Sequence, residues 1–347
     1  MKNILSVIIA LFALILTGCT KETPKEGNEP RTVVVSVTME SPEDTRVSLT
    51  PTATTPHGIA LAWEENDKLM LCFEYNGNYY HNDAPIVASS IRNGGKVADF
   101  SITIPGQIPS NVNFHLYAVY QKTDGDDTNG GYFQPETRKY QLETNEYSCL
   151  TLNQEGRIPR PMLYFSKKNI LKTANPDIGT ITLNHSGWMV AIHLKNSTGI
   201  GVPYPRELTL GAGRGWIFNG RGDNTQVGFD FGKNQFWTDH SYEAMKGLTL
   251  YPNYSYYPLS PYYGETLSDG GVVTFYRWIA SSDDIPELTC GTAISNPLPG
   301  SPWLHVSSAS LKLSAKKPIT KGKVYHIYTE LTYNADKLIT IELVSPY

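Results

Sequence analysis

The chain has 347 residues, of which 40% are hydrophobic and 18% are charged, and its formal net charge is −4. A mildly acidic chain without a basic stripe lacks the electrostatic footprint of a nucleic-acid-binding protein, so we expect no nucleic-acid partner. At roughly 150 residues per domain, the length predicts two domains, each large enough to bury its own core.

The N-terminus has the features of a secretory signal peptide over residues 1–18. Lys2 supplies a positive charge ahead of an apolar run from Ile4 to Leu16. A membrane-spanning helix needs about 20 apolar residues, so a run of 13 residues is expected to be removed rather than to span. The sequence Leu16-Thr17-Gly18-Cys19 resembles the bacterial lipobox, which implies cleavage before Cys19 and acylation of its thiol. The alternative is an ordinary signal peptide with an incidental cysteine.

Residues 19–31 are polar and contain proline and glycine, which predicts a flexible tether between the lipid and the folded protein. Three further cysteines follow, Cys72, Cys149 and Cys290, without CxxC spacing. An odd set of this kind indicates neither a disulfide framework nor a zinc site, so buried free thiols are expected. We expect no cofactor.

Beyond residue 32, short apolar runs alternate with turn residues, and almost no segment keeps a helical period, which predicts a nearly all-β protein. The period-2 pattern is clear in Asp67–Tyr75, which is followed by the turn residues Asn76-Gly77-Asn78. Lys323–Tyr333 and the C-terminal segment 339–343 show the same alternation. Because such alternation indicates one buried and one solvent-facing side, it favours antiparallel sandwiches over parallel α/β sheets.

A domain boundary is predicted at residue 175. The polar stretch Lys172–Asp177 separates the run Met162–Phe165 from a pair of strands predicted at Thr180–Asn184 and Trp188–Lys195. The two predicted domains are residues 32–175 and 176–347.

Several segments follow one another in a recognisable order over most of the chain. They are the strand Thr32–Met39 with Asp44–Leu49, the tryptophan–acidic segment Leu61–Leu69, the aromatic strand His115–Tyr120, Pro161–Tyr164, Ile181–Asn196 and Lys321–Tyr325. None is specific alone, but their order after a lipobox resembles the Bacteroidales fimbrillin family of fimbrial subunits and Mfa-like surface lipoproteins. The resemblance implies an all-β fold of two transthyretin-like antiparallel β-sandwich domains in tandem.

The resemblance also implies a mode of assembly. In this family an arginine-specific protease cuts some members after an N-terminal strand, and a strand from a neighbouring subunit fills the groove left behind. Arg46 matches the cut position, because it follows the strand at 32–39 and precedes a predicted strand at Val47–Leu49. Arg31 is a second candidate, whose cleavage would remove only the tether. The alternative is that Arg46 is a solvated turn residue.

The donor strand is predicted to be Lys337–Val344, because Ile339, Ile341 and Leu343 repeat the alternation that the groove requires. The alternative is that this segment is a fixed strand of its own domain.

The sequence carries no motif of catalysis or metal binding. Its eight histidines show no HExxH or HxH spacing, and no GxSxG is present. His185 and His193 flank a predicted hairpin, where core or strand-edge roles are favoured over a metal pair. Residues 124–131 resemble a calcium loop but lack the glycine and glutamate that an EF-hand requires, which favours a solvated turn. We therefore expect no enzymatic activity.

The stretch 251–263 concentrates tyrosines among prolines. The candidate ligand-binding aromatic residues are Tyr254, Tyr256, Tyr257, Tyr262 and Tyr263. Exposed rings on a stiff loop can stack on sugars or on a partner protein. The alternative is that they cover the open end of the second sandwich.

These observations predict a structural subunit or accessory component of a fimbria that supports adhesion. It would be held at the cell outer membrane through the lipid on Cys19. Its expected partners are other fimbrial subunits and a host or bacterial surface glycan or protein. The alternative function is a monomeric glycan-binding surface lipoprotein that uses the stretch 251–263.

Overall fold

A computed structural model describes residues 29–41, 43–44, 61–121, 131–142, 161–205, 207–212, 215, 217–218, 226–238, 247–250, 265–281, 288–294, 304–311, 320–333 and 339–343. All regular elements in these ranges are β-strands, and none of the described segments is a helix suited to crossing a membrane. The strands are β1 (Arg31–Thr38), β2 (Glu43–Asp44), β3 (Lys68–Tyr75), β4 (Asn78–Pro85), β5 (Val97–Ile104), β6 (Asn113–Tyr120), β7 (Tyr132–Phe133), β8 (Lys139–Gln141), β9 (Leu163–Leu171), β10 (Ile181–Thr182), β11 (Asn184–His185), β12 (Trp188–Asn196), β13 (Val202–Pro203), β14 (Glu207–Ala212), β15 (Val227–Asp230), β16 (Gln235–Thr238), β17 (Gly247–Leu250), β18 (Thr266–Leu267), β19 (Val272–Ile279), β20 (Leu288–Ile294), β21 (Leu304–Leu311), β22 (Lys323–Tyr333) and β23 (Ile339–Leu343).

Two sheets that share one hydrophobic core form what we call the first sandwich. Its small sheet has the strand order β10-β1-β5, and its large sheet has the order β11-β9-β6-β3-β4. The core joins side chains from both sheets, such as Phe100 on β5 and Leu116 on β6, which are both 0% exposed. The β3–β4 hairpin turns at Asn76 and Gly77, whose φ angles of 49° and 76° suit a tight two-residue turn.

A further sheet, which we call the cover sheet, lies on the large sheet and has the order β16-β15-β8-β7. Its contacts include the Tyr117 and Phe231 rings, whose centroids are 5.0 Å apart, and the stacked His81 and Phe133 rings at 5.3 Å. In β3 the residues on both sides, such as Leu71 and Cys72, are therefore 0% exposed. The expectation of a solvent-facing side for this strand is wrong, because the cover sheet occupies that side.

The second half of the chain builds its own core between two sheets. One sheet has the order β19-β12-β22, with β2 and β23 pairing at separate points on β22, and the other has the order β17-β14-β20-β21. The core contains Ile192 of β12, Leu210 of β14 and Phe275 of β19, all 0% exposed. Ile327 and Leu331 also belong to this core, as the alternation in Lys323–Tyr333 predicts. The strands β13 and β18 form a separate two-stranded sheet.

The prediction of an all-β sandwich is confirmed. The predicted pairing between residues 180–184 and 188–195 is wrong, since Asn184 pairs with Tyr164 of β9 and Trp188 pairs with Ile279 of β19. Strand β12 is buried on both faces and pairs with β19 on one edge and with β22 on the other, so it lies in the middle of a sheet rather than in a two-stranded hairpin. The boundary at residue 175 and the tandem arrangement stay predictions. The cover sheet pairs β8 with β15, and therefore contains strands from both sides of that residue.

Candidate functional site

The candidate site is the groove that holds β1, the strand predicted to be removable. Eight residue pairs join β1 to β5 in antiparallel register, from Arg31 opposite Ile104 to Thr38 opposite Val97. On its other edge, β1 pairs with β10 only through two parallel pairs at Val37 and Thr38. One long ladder therefore supplies most of the backbone pairing of this strand.

Side chains of β1 alternate between the core and the outer surface. Val35 and Val37 point inward and are 7% and 0% exposed. Met39, directly after the strand, also points inward and is 1% exposed, whereas Val34 is 63% exposed. The inward valines lie beside a row of β5 residues that are all 0% exposed, Ala98, Phe100, Ile102 and Ile104. The predicted alternation is confirmed, and the inward side chains of β1 form part of the hydrophobic core of the first sandwich.

The outer face of β1 carries polar contacts to β5. The Ser36 hydroxyl donates to Asp99 Oδ1 at 2.6 Å, and Arg92 Nη2 donates to the same oxygen at 2.8 Å. Hydrogen bonds from Arg92 and then Ser36 lower the pKa of the Asp99 carboxyl. Thr32 and Thr103, which are also opposite each other, are joined by a hydrogen bond of 3.0 Å between their hydroxyls.

The chain that follows β1 is tied at the point where it leaves the first sandwich. Met39 N donates to the Lys96 carbonyl at 2.9 Å, and Leu61 N donates to the Ser41 hydroxyl at 2.9 Å. Lys96 Nζ donates to both the Ser41 hydroxyl and the Leu61 carbonyl. The Lys96 ammonium therefore binds both Ser41 and Leu61, the two residues that flank the segment containing Arg46.

Strand β2 belongs to the sheet that contains β22, in the second half of the molecule. Its residues Glu43 and Asp44 pair in parallel with Lys323 and Val324 of β22. The predicted cleavage residue, Arg46, is two positions further on and lies outside the described residues, as does the predicted strand at 47–49. The proposed cut would thus separate β1 and β2 together from the rest of the chain.

Two of the sequence motifs meet behind the groove. Trp63, from the tryptophan–acidic segment, makes edge contacts with Phe100 at 4.9 Å and with Tyr120 at 4.7 Å between ring centroids. The Tyr120 hydroxyl donates to Asp67 Oδ2 at 3.1 Å, and the Glu64 amide donates to the same carboxylate oxygen at 2.8 Å. The acidic residue therefore closes a turn that places the tryptophan in the core against β5.

Most predicted site residues lie outside the part of the chain that the structure describes. These are Cys19, Arg46 and the tyrosines Tyr254, Tyr256, Tyr257, Tyr262 and Tyr263. The second cleavage candidate, Arg31, is the first residue of β1 and pairs with Ile104. The predicted donor segment contains β23, which pairs with β22 and buries Ile341 to 2% exposure in the second core. In this structure β23 therefore lies beside β22 of the same chain.

The two histidines considered as a metal pair have separate partners. His185 Nε2 lies 2.8 Å from the Glu40 carbonyl, next to the end of β1. His193 is buried and makes ring-nitrogen hydrogen bonds to Thr274 at 2.7 Å and to His326 at 2.8 Å. Among the described residues, no group of three or more His, Cys, Asp or Glu side chains is arranged to hold a metal ion. Most of the loop 124–131 is outside those residues.

Cys72, the one predicted buried thiol whose side chain is described, is free and 0% exposed. Burial, with a smaller effect from the Glu74 charge, raises the pKa of its thiol. Glu74 itself accepts hydrogen bonds from the Tyr117 hydroxyl at 2.7 Å and from Arg138 at 3.1 Å. This cluster joins the large sheet to the β7–β8 hairpin, and it was not foreseen from the sequence.

Lys172 is a further residue that was not foreseen from the sequence: it lies in the polar stretch at the predicted domain boundary but is 0% exposed. Its ammonium lies at the N-terminal end of the β1 groove, where it donates to three backbone carbonyls. Lysine is rarely buried, and no local pattern distinguishes Lys172 from the half-buried Lys167 and the exposed Lys168 of the preceding strand.

No family model matches the sequence, and no curated protein matches it. The structure is similar to solved structures of two fimbrial proteins at low sequence identity. One is a fimbrial protein from Bacteroides vulgatus ATCC 8482, with 11% identity over 90% of this chain and 98% of that chain and a TM-score of 0.39. Another is the fimbrial anchor protein Mfa2 from Porphyromonas gingivalis, with 12% identity over 92% of this chain and 100% of that chain and a TM-score of 0.36.

Proposed function

We propose that this protein is a structural subunit or accessory component of a fimbria on the cell surface, where it supports adhesion. In this proposal it is exported as a lipoprotein and held at the outer membrane through Cys19. Cleavage after Arg46 then releases the lipid together with β1 and β2, and a strand of another subunit fills the vacated groove.

The observation that carries the proposal is the placement of β1. This strand has one long ladder, one apolar side and one outward side, and its connection to the rest of the chain runs through the segment that contains Arg46. Removing it would leave the edge of β5 unpaired and the core beneath the valines uncovered. Such an edge accepts any extended segment with apolar side chains at alternate positions.

The energy available to an incoming strand is large. Each backbone hydrogen bond restored contributes about 1 kcal/mol net, and each valine buried contributes roughly 1.5 kcal/mol or more. With several of each along β1, an emptied groove would be unstable in water and would strongly favour a matching strand. The proposed donor is segment 337–344 of a neighbouring subunit, which would have to leave its place beside β22.

The test is treatment of the purified protein with an arginine-specific protease. Wild type, Arg46→Ala and Arg31→Ala are incubated at high concentration, and the products are examined by electrophoresis without denaturant, electron microscopy and mass spectrometry of the new N-terminus. We expect ladders of assembled species from wild type and Arg31→Ala, with Val47 at the new N-terminus, and none from Arg46→Ala.

A wild-type protein that is cut after Arg46 but stays monomeric would contradict strand exchange. In that case retention of the monomer on immobilised glycans would favour the alternative function, a glycan-binding surface lipoprotein. Lipidation is tested separately, because labelled palmitate should enter wild type but not Cys19→Ala when each is expressed in a lipoprotein-exporting bacterium.

A further inference from the structure

Lys172 is a buried ammonium with a complete set of acceptors. A lysine ammonium has three donors, and Lys172 Nζ uses them on the carbonyls of Glu29 at 3.1 Å, Pro105 at 3.1 Å and Ile108. The backbone of Lys172 is fixed as well, since its N–H donates to the Val112 carbonyl at 2.9 Å and its carbonyl accepts from Asn111 N at 2.7 Å. The amine therefore has a fixed position at the end of the groove.

The three acceptors belong to two different parts of the molecule. Pro105 and Ile108 lie in the turn between β5 and β6, where Ile108 N also donates to the Pro105 carbonyl at 3.3 Å. Glu29 precedes the first residue of β1 by two positions. If β1 leaves the groove, the first two acceptors stay and the third leaves with the strand.

Side-chain alternation alone does not fix the register of a strand in this groove. Val33, Val35 and Val37 are identical side chains on the same face, so a slip of two residues returns valines to the inward positions. The same slip also places another backbone carbonyl at each position, provided that the strand is long enough to reach it. A fixed donor at one end of the groove therefore requires the strand to extend far enough to supply a carbonyl there.

We infer that Lys172 is the positioning residue of the strand-exchange groove: it binds the carbonyl oxygen two residues outside the paired stretch, and so requires the strand that fills the groove to extend two residues beyond its pairing with β5. The inference rests on the proposed function. A segment that closes the groove without an oxygen at this point leaves a buried charged donor without its third acceptor, which is strongly unfavourable.

The contact also defines which segments the groove accepts. Lys172 binds a backbone carbonyl, so it requires no particular side chain at that position. The favoured occupant is therefore an extended segment with alternate apolar residues that reaches far enough to place a carbonyl at the position of the Glu29 carbonyl.

The first test uses the uncut full chain and hydrogen exchange measured by mass spectrometry. Lys172→Met is compared with Lys167→Met, since Lys167 on the preceding strand also donates to two backbone carbonyls, those of Asp177 at 2.9 Å and Ile178 at 3.0 Å. We expect amides of β1 to exchange about tenfold faster in Lys172→Met only, with β3 and β6 unchanged, as loss of a hydrogen bond to a charged group predicts. Equal acceleration throughout the first sandwich, or equal effects of the two variants, would overturn the inference.

The second test uses protein cut after Arg46 and needs no variant of Lys172. Two peptides that cover residues 30–39 begin with acetyl-proline or thioacetyl-proline, so that the acyl group supplies oxygen or sulfur at the position of the Glu29 carbonyl. The oxygen peptide should bind about tenfold more tightly. Equal affinities would overturn the inference but leave strand exchange intact, whereas binding of neither peptide would contradict the proposed function and leave hydrogen exchange in the uncut chain to decide on Lys172.

Discussion

Strands β1 and β12 have nearly the same length but very different surroundings. Strand β12 pairs along its length with β19 on one edge and with β22 on the other, and both of its faces are buried. Strand β1 has one long ladder, a two-residue contact on its other edge and an outward face on which Val34 is exposed. Removal of β12 would break two long ladders and open both of its faces, whereas removal of β1 would break one long ladder and a two-residue contact.

The largest expected effect lies in β12. Ile192 is 0% exposed in the second core, so Ile192→Ala leaves a cavity that its neighbours on two paired strands cannot fill. We expect the free energy of unfolding to fall by about 3 kcal/mol, measured by urea denaturation. A loss below about 1 kcal/mol would contradict the central position of this strand.

A smaller loss is expected in β1, where the two faces give a matched pair of variants. Val37 is 0% exposed and Val34 is 63% exposed, so Val37→Ala should lower the free energy of unfolding by about 2 kcal/mol and Val34→Ala by less than about 0.5 kcal/mol. Urea denaturation of both variants provides the measurement. Similar losses for the two valines would mean that the inward and outward faces of β1 are not distinct.

The cover sheet gives an effect that depends on pH. Burial raises the pKa of the Glu74 carboxyl, but hydrogen bonds from Tyr117 and Arg138 together with the Arg138 charge lower it by more than burial raises it. The net result is a pKa below the ordinary value of a glutamate. A lowered pKa adds stability above the pKa of the unfolded chain, and this stability is lost as the pH falls through the folded value. We expect Glu74→Gln to cost about 1 kcal/mol at pH 7 and less at pH 3.

The control for that prediction is Glu65→Gln, because Glu65 is exposed. Its unfolding midpoint in urea should match that of wild type at both pH values. If the cost of Glu74→Gln is the same at pH 3 as at pH 7, the ionised cluster does not hold the cover sheet.

The smallest effect is expected beside the end of β1. Burial mainly, and also the Lys96 charge, lowers the pKa of His185 despite its hydrogen bond to the Glu40 carbonyl. The folded state therefore favours the neutral ring, and its stabilising contribution is lost as the pH falls below the ordinary histidine range. In His185→Gln, which keeps a donor but does not titrate, the urea midpoint should depend less on pH between 7 and 5. An unchanged pH dependence would show that His185 is not coupled to folding.

The strands and turns of the first sandwich were predictable because their signals are local. The alternation in Thr32–Met39 and the turn at Asn76–Gly77 require only neighbouring residues, and both are present in the structure. The apolar face of Lys323–Tyr333 was predictable for the same reason.

The cover sheet was not predictable, because it depends on pairing between distant segments. The short strands β7, β8, β15 and β16 have weak periodicity, and they bury the second face of β3 only after they have come together. Lys172 was missed for a similar reason, since its three acceptors come from Glu29 and from the turn at residues 105–108. The burial of that lysine is a property of the assembled sheets.

The mixed origin of the cover sheet has a consequence for folding. The chain is made from its N-terminus, so β6 and β9 are made long before Phe231 and Phe229, whose rings contact Tyr117 of β6 and Tyr164 of β9 in the folded protein. Pairing of β2 with β22 likewise waits until nearly the whole chain is present. Contacts this far apart in sequence slow folding, and the apolar side of the large sheet is exposed to aggregation in the meantime. The large sheet of the first sandwich therefore gains its complete cover only after the second half of the chain has been made.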